Sequence, residues 1–185
     1  MKTLIFTIIC VSLSNTNYFD KMVLPYSIVT SKTDLIVEGT IDEIYDGKYG
    51  FTISDFIKGK DQKTIYVTIG KQWTCDIRKT DYKKGQKLIL FLIKENGKYQ
   101  IINGSTGELI INDDGSILRH KYQPLPDLTI LKDGIKMLIK SIDYNGELYS
   151  EGTYKFLVSQ SEFEKYKNEN SFYYQSTRGL EYVNN

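Results

Sequence analysis

The residue types that carry out catalysis are few in this chain and far apart. His120 is the only histidine, which excludes a multi-histidine metal site and leaves little for proton-transfer schemes. Cys75 and His120 could form a nucleophilic dyad if the fold joined them. No signature of a thiol enzyme surrounds Cys75, and a structural cysteine with a solvated histidine between Arg119 and Lys121 is the simpler reading. Asp113-Asp114 could hold a cation, but a hairpin turn favours aspartate at that place for backbone reasons. Asn103-Gly104-Ser105-Thr106-Gly107 has the glycines of a phosphate loop without its Gly-Lys-Ser/Thr ending or following helix, and reads as a plain turn. No cofactor is expected. Aromatic side chains are the richer resource, with 15 Tyr and 8 Phe. Rings at a surface stack on bases or sugars, and nearby lysines track phosphates. Tyr49, Phe56, Tyr66, Trp73 and Tyr82, with Lys58, Lys60 and Lys71 close in sequence, form the candidate binding set. The competing reading makes several of these rings core or barrel rim, because tyrosine suits half-buried strands.

These side chains need a scaffold, and the pattern along the chain is mainly strand. Leu35 to Tyr45 reads as a long strand with a bulge or sharp coil at Gly39, and Asp46-Gly47 makes a turn. Tyr49 to Lys58 follows, with Phe51, Ile53, Asp55 and Ile57 on one face and Thr52, Ser54 and Phe56 on the other. Thr64 to Ile69 alternates at Ile65, Val67 and Ile69. A longer connection over 70–85 holds Trp73, Cys75 and Tyr82. Gln86 to Lys94 is almost continuously apolar and is expected to be buried on both faces. Asn96-Gly97 is a hairpin signal into Tyr99–Ile102, since both turn positions need positive φ. A further hairpin runs from Glu108–Ile111 through Asn112-Asp113-Asp114-Gly115 to Ser116–Leu118. Beyond Pro124 and Pro126 the period changes. Leu131, Ile135, Leu138, Ile139 and Ile142 share one face of a helix over 129–142, which needs a cover that the barrel can supply. A short strand at 154–158 follows. Ser161 to Glu164 then fits a capping box opening a charged helix, and no period is legible from about residue 168.

Five strands with a long third connection make an OB-type Greek-key barrel. The fold class is therefore mainly β with C-terminal α elements: a five-stranded barrel, an extra hairpin and one or two helices. The segment Asp34-Leu-Ile-Val-Glu-Gly-Thr-Ile, the second strand ending on Lys58-Gly59, Cys75 after the third, and Lys84-Gly85-Gln86-Lys87 opening the fourth sharpen the pattern. Over residues 33–112 they resemble the netrin-like superfamily, whose best-known members are the tissue inhibitors of metalloproteinases. The resemblance implies the fold. Inhibition in that family rests on a cysteine at the mature N-terminus that chelates the target's zinc. No cysteine lies between Cys10 and Cys75, so the mechanism does not carry over.

Met1-Lys2 and the apolar run Leu4–Leu13 have the form of an export signal, with Ser12 and Ser14 at the cleavage offsets. Cys10 falls inside it, and Ile9 is the wrong neighbour for lipid attachment. The expected division is a signal peptide at 1–14, a lead-in at 15–32, the barrel with its hairpin at 33–122, and a C-terminal extension at 123–185. One remaining cysteine gives no internal disulfide framework. No later stretch is long enough for a transmembrane helix. Basic and acidic residues number 24 and 23, without the excess of a nucleic-acid binder. The expectation is a secreted or periplasmic, monomeric, non-catalytic module. It would bind an extracytoplasmic protein or glycan on the face of its second and third strands. A protease inhibitor acting without an N-terminal cysteine and a Cys75/His120 enzyme are the alternatives.

Overall fold

Alternating apolar residues between glycine turns give six strands that share one sheet, β1 (Leu35–Tyr45), β2 (Lys48–Lys58), β3 (Thr64–Thr68), β4 (Lys87–Glu95), β5 (Lys98–Ile101) and β6 (Glu108–Ile111). Their arrangement is that of a computed structural model describing residues 22–70, 76–118 and 125–183. Neighbours run β1-β2-β3-β5-β4, and β4 pairs back onto β1, so the first five close into a barrel. All pairs are antiparallel except β3–β5, where Val67 faces Tyr99 in parallel. This is the OB-type barrel expected from the sequence. Asn96 (φ 50°) and Gly97 (φ 77°) form the β4–β5 turn, as their types require. β6 extends the sheet beside β4, and its return strand is reduced to one bridge between Ile111 and Ile117.

β4 explains the size of the chain. Leu88, Leu90 and Leu92 fill the barrel with Leu35, Val37, Ile41, Phe51, Ile53, Ile65 and Val67. Ile89 and Phe91 point outward, yet are fully buried in a second core. That core is roofed by α1 (Tyr26–Lys32), α2 (Leu128–Ser141), α3 (Gln160–Glu169) and α4 (Ser171–Ser176). Asp127 caps α2 by accepting from the Ile130 N–H at 3.0 Å. Leu131, Ile135 and Leu138 of α2 are buried against the barrel's outer wall, which is the cover their spacing called for. A two-stranded ribbon, β7 (Ile142–Asn145) with β8 (Thr153–Phe156), completes the extension.

Three local readings change. The segment taken as a lead-in contains α1, whose Tyr26 ring sits 5.5 Å from Phe91 and 5.0 Å from Phe172 and joins barrel to helices. α3 is capped by Ser159, which accepts from Glu162 N–H, two residues before the expected cap. Ser159–Glu162 matches the same pattern, so the sequence offered two registers. In β2 the alternation reverses after Ile53. A register shift opposite Glu38 and Gly39 leaves Ser54 as an extra residue, its hydroxyl bonded to Glu38 C=O at 3.1 Å. Phe56 therefore turns toward the barrel interior and Ile57 toward the outer core. Gly39 permits the close crossing, since a Cβ there would lie 2.2 Å from the Thr52 carbonyl oxygen.

Candidate functional site

The candidate rings separate according to register. Tyr49 pairs with Val67 and points inward, while Gly50 pairs with Tyr66 and both face outward. Tyr49 is fully buried and cannot contact a ligand. Phe56 is half-buried against the barrel core through the β2 bulge. Tyr82 is half-buried over the barrel end, 5.3 Å from Tyr49, with the Arg78 guanidinium 3.8 Å from its own ring. Burial pushes the Tyr82 phenol up to about 12. Lys58 donates to the carbonyls of Thr30 and Ser31 at 2.7 and 3.0 Å, closing the C-terminal end of α1. It is a structural cation, and burial lowers its pKa. Lys60 is exposed. Lys71, Trp73, Cys75 and His120 lie outside the described residues.

Tyr66 alone among the described rings of the set is a surface group, 55% exposed. The register places Gly50 opposite it, so no side chain stands directly across from the ring. Residues not picked out from the sequence gather around it. Tyr45, at the end of β1, meets Tyr66 edge to face at 5.9 Å. Lys48, first in β2, places its ammonium 4.9 Å over Tyr66 and 5.7 Å over Tyr45. The Tyr45 hydroxyl donates to Glu43, whose carboxylate raises the phenol to about 12.

The Tyr66 surface opens into a groove of about 610 Å³ between the β1–β2 turn, β3 and the β4–β5 turn. Its far wall is a polar trio. Tyr99 donates its hydroxyl to Asp61, and the Lys94 ammonium donates to the same oxygen at 3.1 Å. The Tyr99 hydroxyl, the Gln62 N–H and Lys94 together lower the Asp61 carboxyl to about 2. Asp61 in turn raises Lys94. Asp46, Gln62, Thr64 and Lys98 supply further donors and acceptors along the floor and rim.

A second polar cluster closes the adjacent barrel end. Arg78 Nε donates to Glu108 at 2.8 Å, with both side chains 6% exposed. Its Nη2 donates to Gln86 at 2.7 Å. Burial raises the Glu108 carboxyl, against the lowering effect of Arg78. This cluster ties the β3–β4 connection to β6, thirty residues away in sequence. Such a pair has no sequence pattern, because the fold alone brings its members together.

The turns read as turns in the sequence behave so. Asp114 accepts from the Ser116 N–H at 2.9 Å, and Gly104–Thr106 is a single 3₁₀ turn. Among the described residues, no three His, Cys, Asp or Glu side chains come together as a metal-binding group. Among them too, no helix is long and apolar enough to cross a membrane. The class defined by the strand order is a closed OB-type barrel whose second-and-third-strand face, with its two neighbouring turns, carries an open groove. No protein-family model matches the chain, and no curated protein matches its sequence.

Proposed function

We propose that this chain is an exported, non-catalytic binding module of the netrin-like type, engaging an extracytoplasmic partner on the groove around Tyr66. The observation that carries the reading is the exposed Tyr45–Lys48–Tyr66 cluster beside a groove, on the face where OB barrels hold extended ligands. An exposed tyrosine pair at a concave surface, with polar groups converging on it, is the kind of surface that takes a ligand. Export follows from the signal-like residues 1–14. The netrin-like part of the reading is supported by the resemblance of the Gly39 coil, the Lys58-Gly59 strand end and the Lys84–Lys87 entry to β4. The module is monomeric in this reading.

The test begins with the full-length chain expressed in a bacterial host. N-terminal sequencing of the exported product should start near Asn15, and retention of Met1 in the cytoplasm would overturn the export reading. The exported protein then serves as bait for extracytoplasmic proteins and glycans, with a Tyr45→Ala/Tyr66→Ala variant beside it. A partner captured by the wild type and released by a still-folded double variant supports the groove as the binding site. Capture that is indifferent to both rings refutes it.

A further inference from the structure

We propose that the ligand of this groove is a neutral oligosaccharide, with one pyranose ring stacked on Tyr66. This proposal rests on the reading of the groove as the binding site. The chemistry of the lining selects the class. Its exposed apolar surface is aromatic, and Ile65, the one aliphatic side chain in the lining, is buried in the barrel. Protein interfaces are built around an apolar core rich in aromatics, Met and Arg and poor in Lys. Here Lys48, Lys94 and Lys98 line the groove, with no Met, Leu or Arg among its described lining.

A phosphate chain is equally ill served. Asp46 and Asp61 stand against those three lysines, and Asp61 already holds Lys94. Nucleic-acid binding needs several uncompensated cations along its track. A sugar needs something else: a flat ring for its C–H face, and closely spaced groups that both donate and accept for its hydroxyls. Tyr66 offers the ring, with the flexible Lys48 side chain over it swinging aside for the sugar. Asp46, Gln62, Thr64 and Lys98 offer the hydrogen-bonding groups around it. The groove's volume, about 610 Å³, lies in the usual range for a small-ligand site.

The experiment is a titration of the full-length chain with a panel of neutral oligosaccharides, a uronic-acid oligosaccharide and a single-stranded oligonucleotide. Tyrosine ring resonances are followed by NMR. A neutral oligosaccharide should saturate the Tyr66 and Tyr45 signals, with affinity steady from about 50 to about 500 mM salt. Tyr66→Phe keeps the ring and should bind within about threefold of wild type. Tyr66→Ala should lose at least about tenfold, the loss of a stacked ring. Gln62→Ala alters only an exposed groove residue and should also weaken binding, so the test survives a folding defect in Tyr66→Ala. Tyr174→Ala, an exposed ring on α4, should change nothing. If no neutral oligosaccharide binds at millimolar concentration, or only the acidic sugar or the oligonucleotide does, the proposal is overturned. A partner captured through Tyr66 would in that case leave the groove standing as a site for another class of ligand. No Tyr66-dependent partner of any kind would remove both readings.

Discussion

Tyr49 and Tyr66 are neighbours across a strand pair, yet one is sealed in the barrel and the other faces solvent. The Tyr49 hydroxyl is buried beside the Glu108 carboxylate, and burial with that neighbour raises the phenol well above its usual value. Removing the hydroxyl takes a partner from the carboxylate, so Tyr49→Phe should lower stability by about 1 kcal/mol in a urea series. An unchanged urea midpoint would show that the hydroxyl contributes no bond. Arg78→Ala should cost more, because it leaves the Glu108 carboxylate buried without its cation. The expected cost is about 3 kcal/mol or more by chemical denaturation. A cost near zero would show that the pair is solvated. Asp61 supplies a pH dependence. The Tyr99 hydroxyl, the Gln62 N–H and Lys94 hold its carboxyl down to about 2 in the fold, below the usual value of about 4. The native state therefore binds the proton less readily than the unfolded chain. The stabilisation is complete above about pH 4 and is lost as pH falls through about 2. Asp61→Asn should flatten that part of the acid limb in a series of unfolding curves.

At the scale of the element, α2 carries a glycine where helix propensity alone would favour alanine by about 1 kcal/mol. Packing reverses that preference. A Cβ at Gly134 would lie 2.6 Å from Asn170 Oδ1 and 2.8 Å from the Phe172 ring. Asn170 is fixed by two bonds, donating to Ile130 C=O at 2.9 Å and accepting from the Tyr173 N–H at 2.9 Å. It has little room to yield. Gly134→Ala should therefore destabilise the protein by about 1–3 kcal/mol, the range for overpacking. A thermal midpoint equal to or above wild type would show that α4 shifts freely. The same junction explains why α4 was not legible in sequence. Its six residues form a helix because Asn170 caps them and Phe172 and Tyr173 are drawn into the core, with no periodic stripe long enough to read.

For the whole molecule, the barrel is two-sided. Its outer wall at Ile36, Ile89, Phe91, Leu109 and Ile111 is buried beneath the helices, and Lys132 of α2 adds ion pairs to Glu38 and Asp55 at 2.6 Å each. Barrel and extension should unfold in one transition, with calorimetric and van't Hoff enthalpies equal. A chain ending at residue 118 would expose that wall to water. It should aggregate or bind a hydrophobic dye, whereas a soluble, cooperatively folding fragment would show that the extension is a separate unit.

The sequence by itself determined the barrel strands, their turns and the fold class. Glycine and asparagine at positive φ, two-residue alternation and a doubly apolar fourth strand are local properties that the chain cannot hide. The amphipathic stripe of α2 was equally local, and it implied a cover. Tertiary structure alone decided which rings meet solvent. A one-residue bulge reverses which way Phe56 faces, and pairing register sets Tyr49 against Tyr66. Such shifts leave composition and spacing untouched while moving a side chain to the other side of a sheet. Lys58 looked like a ligand cation until the fold brought two helix carbonyls to it. Lys48, Asp61 and Tyr99 looked unremarkable until barrel closure brought three separate segments to one groove, with Tyr45 beside it.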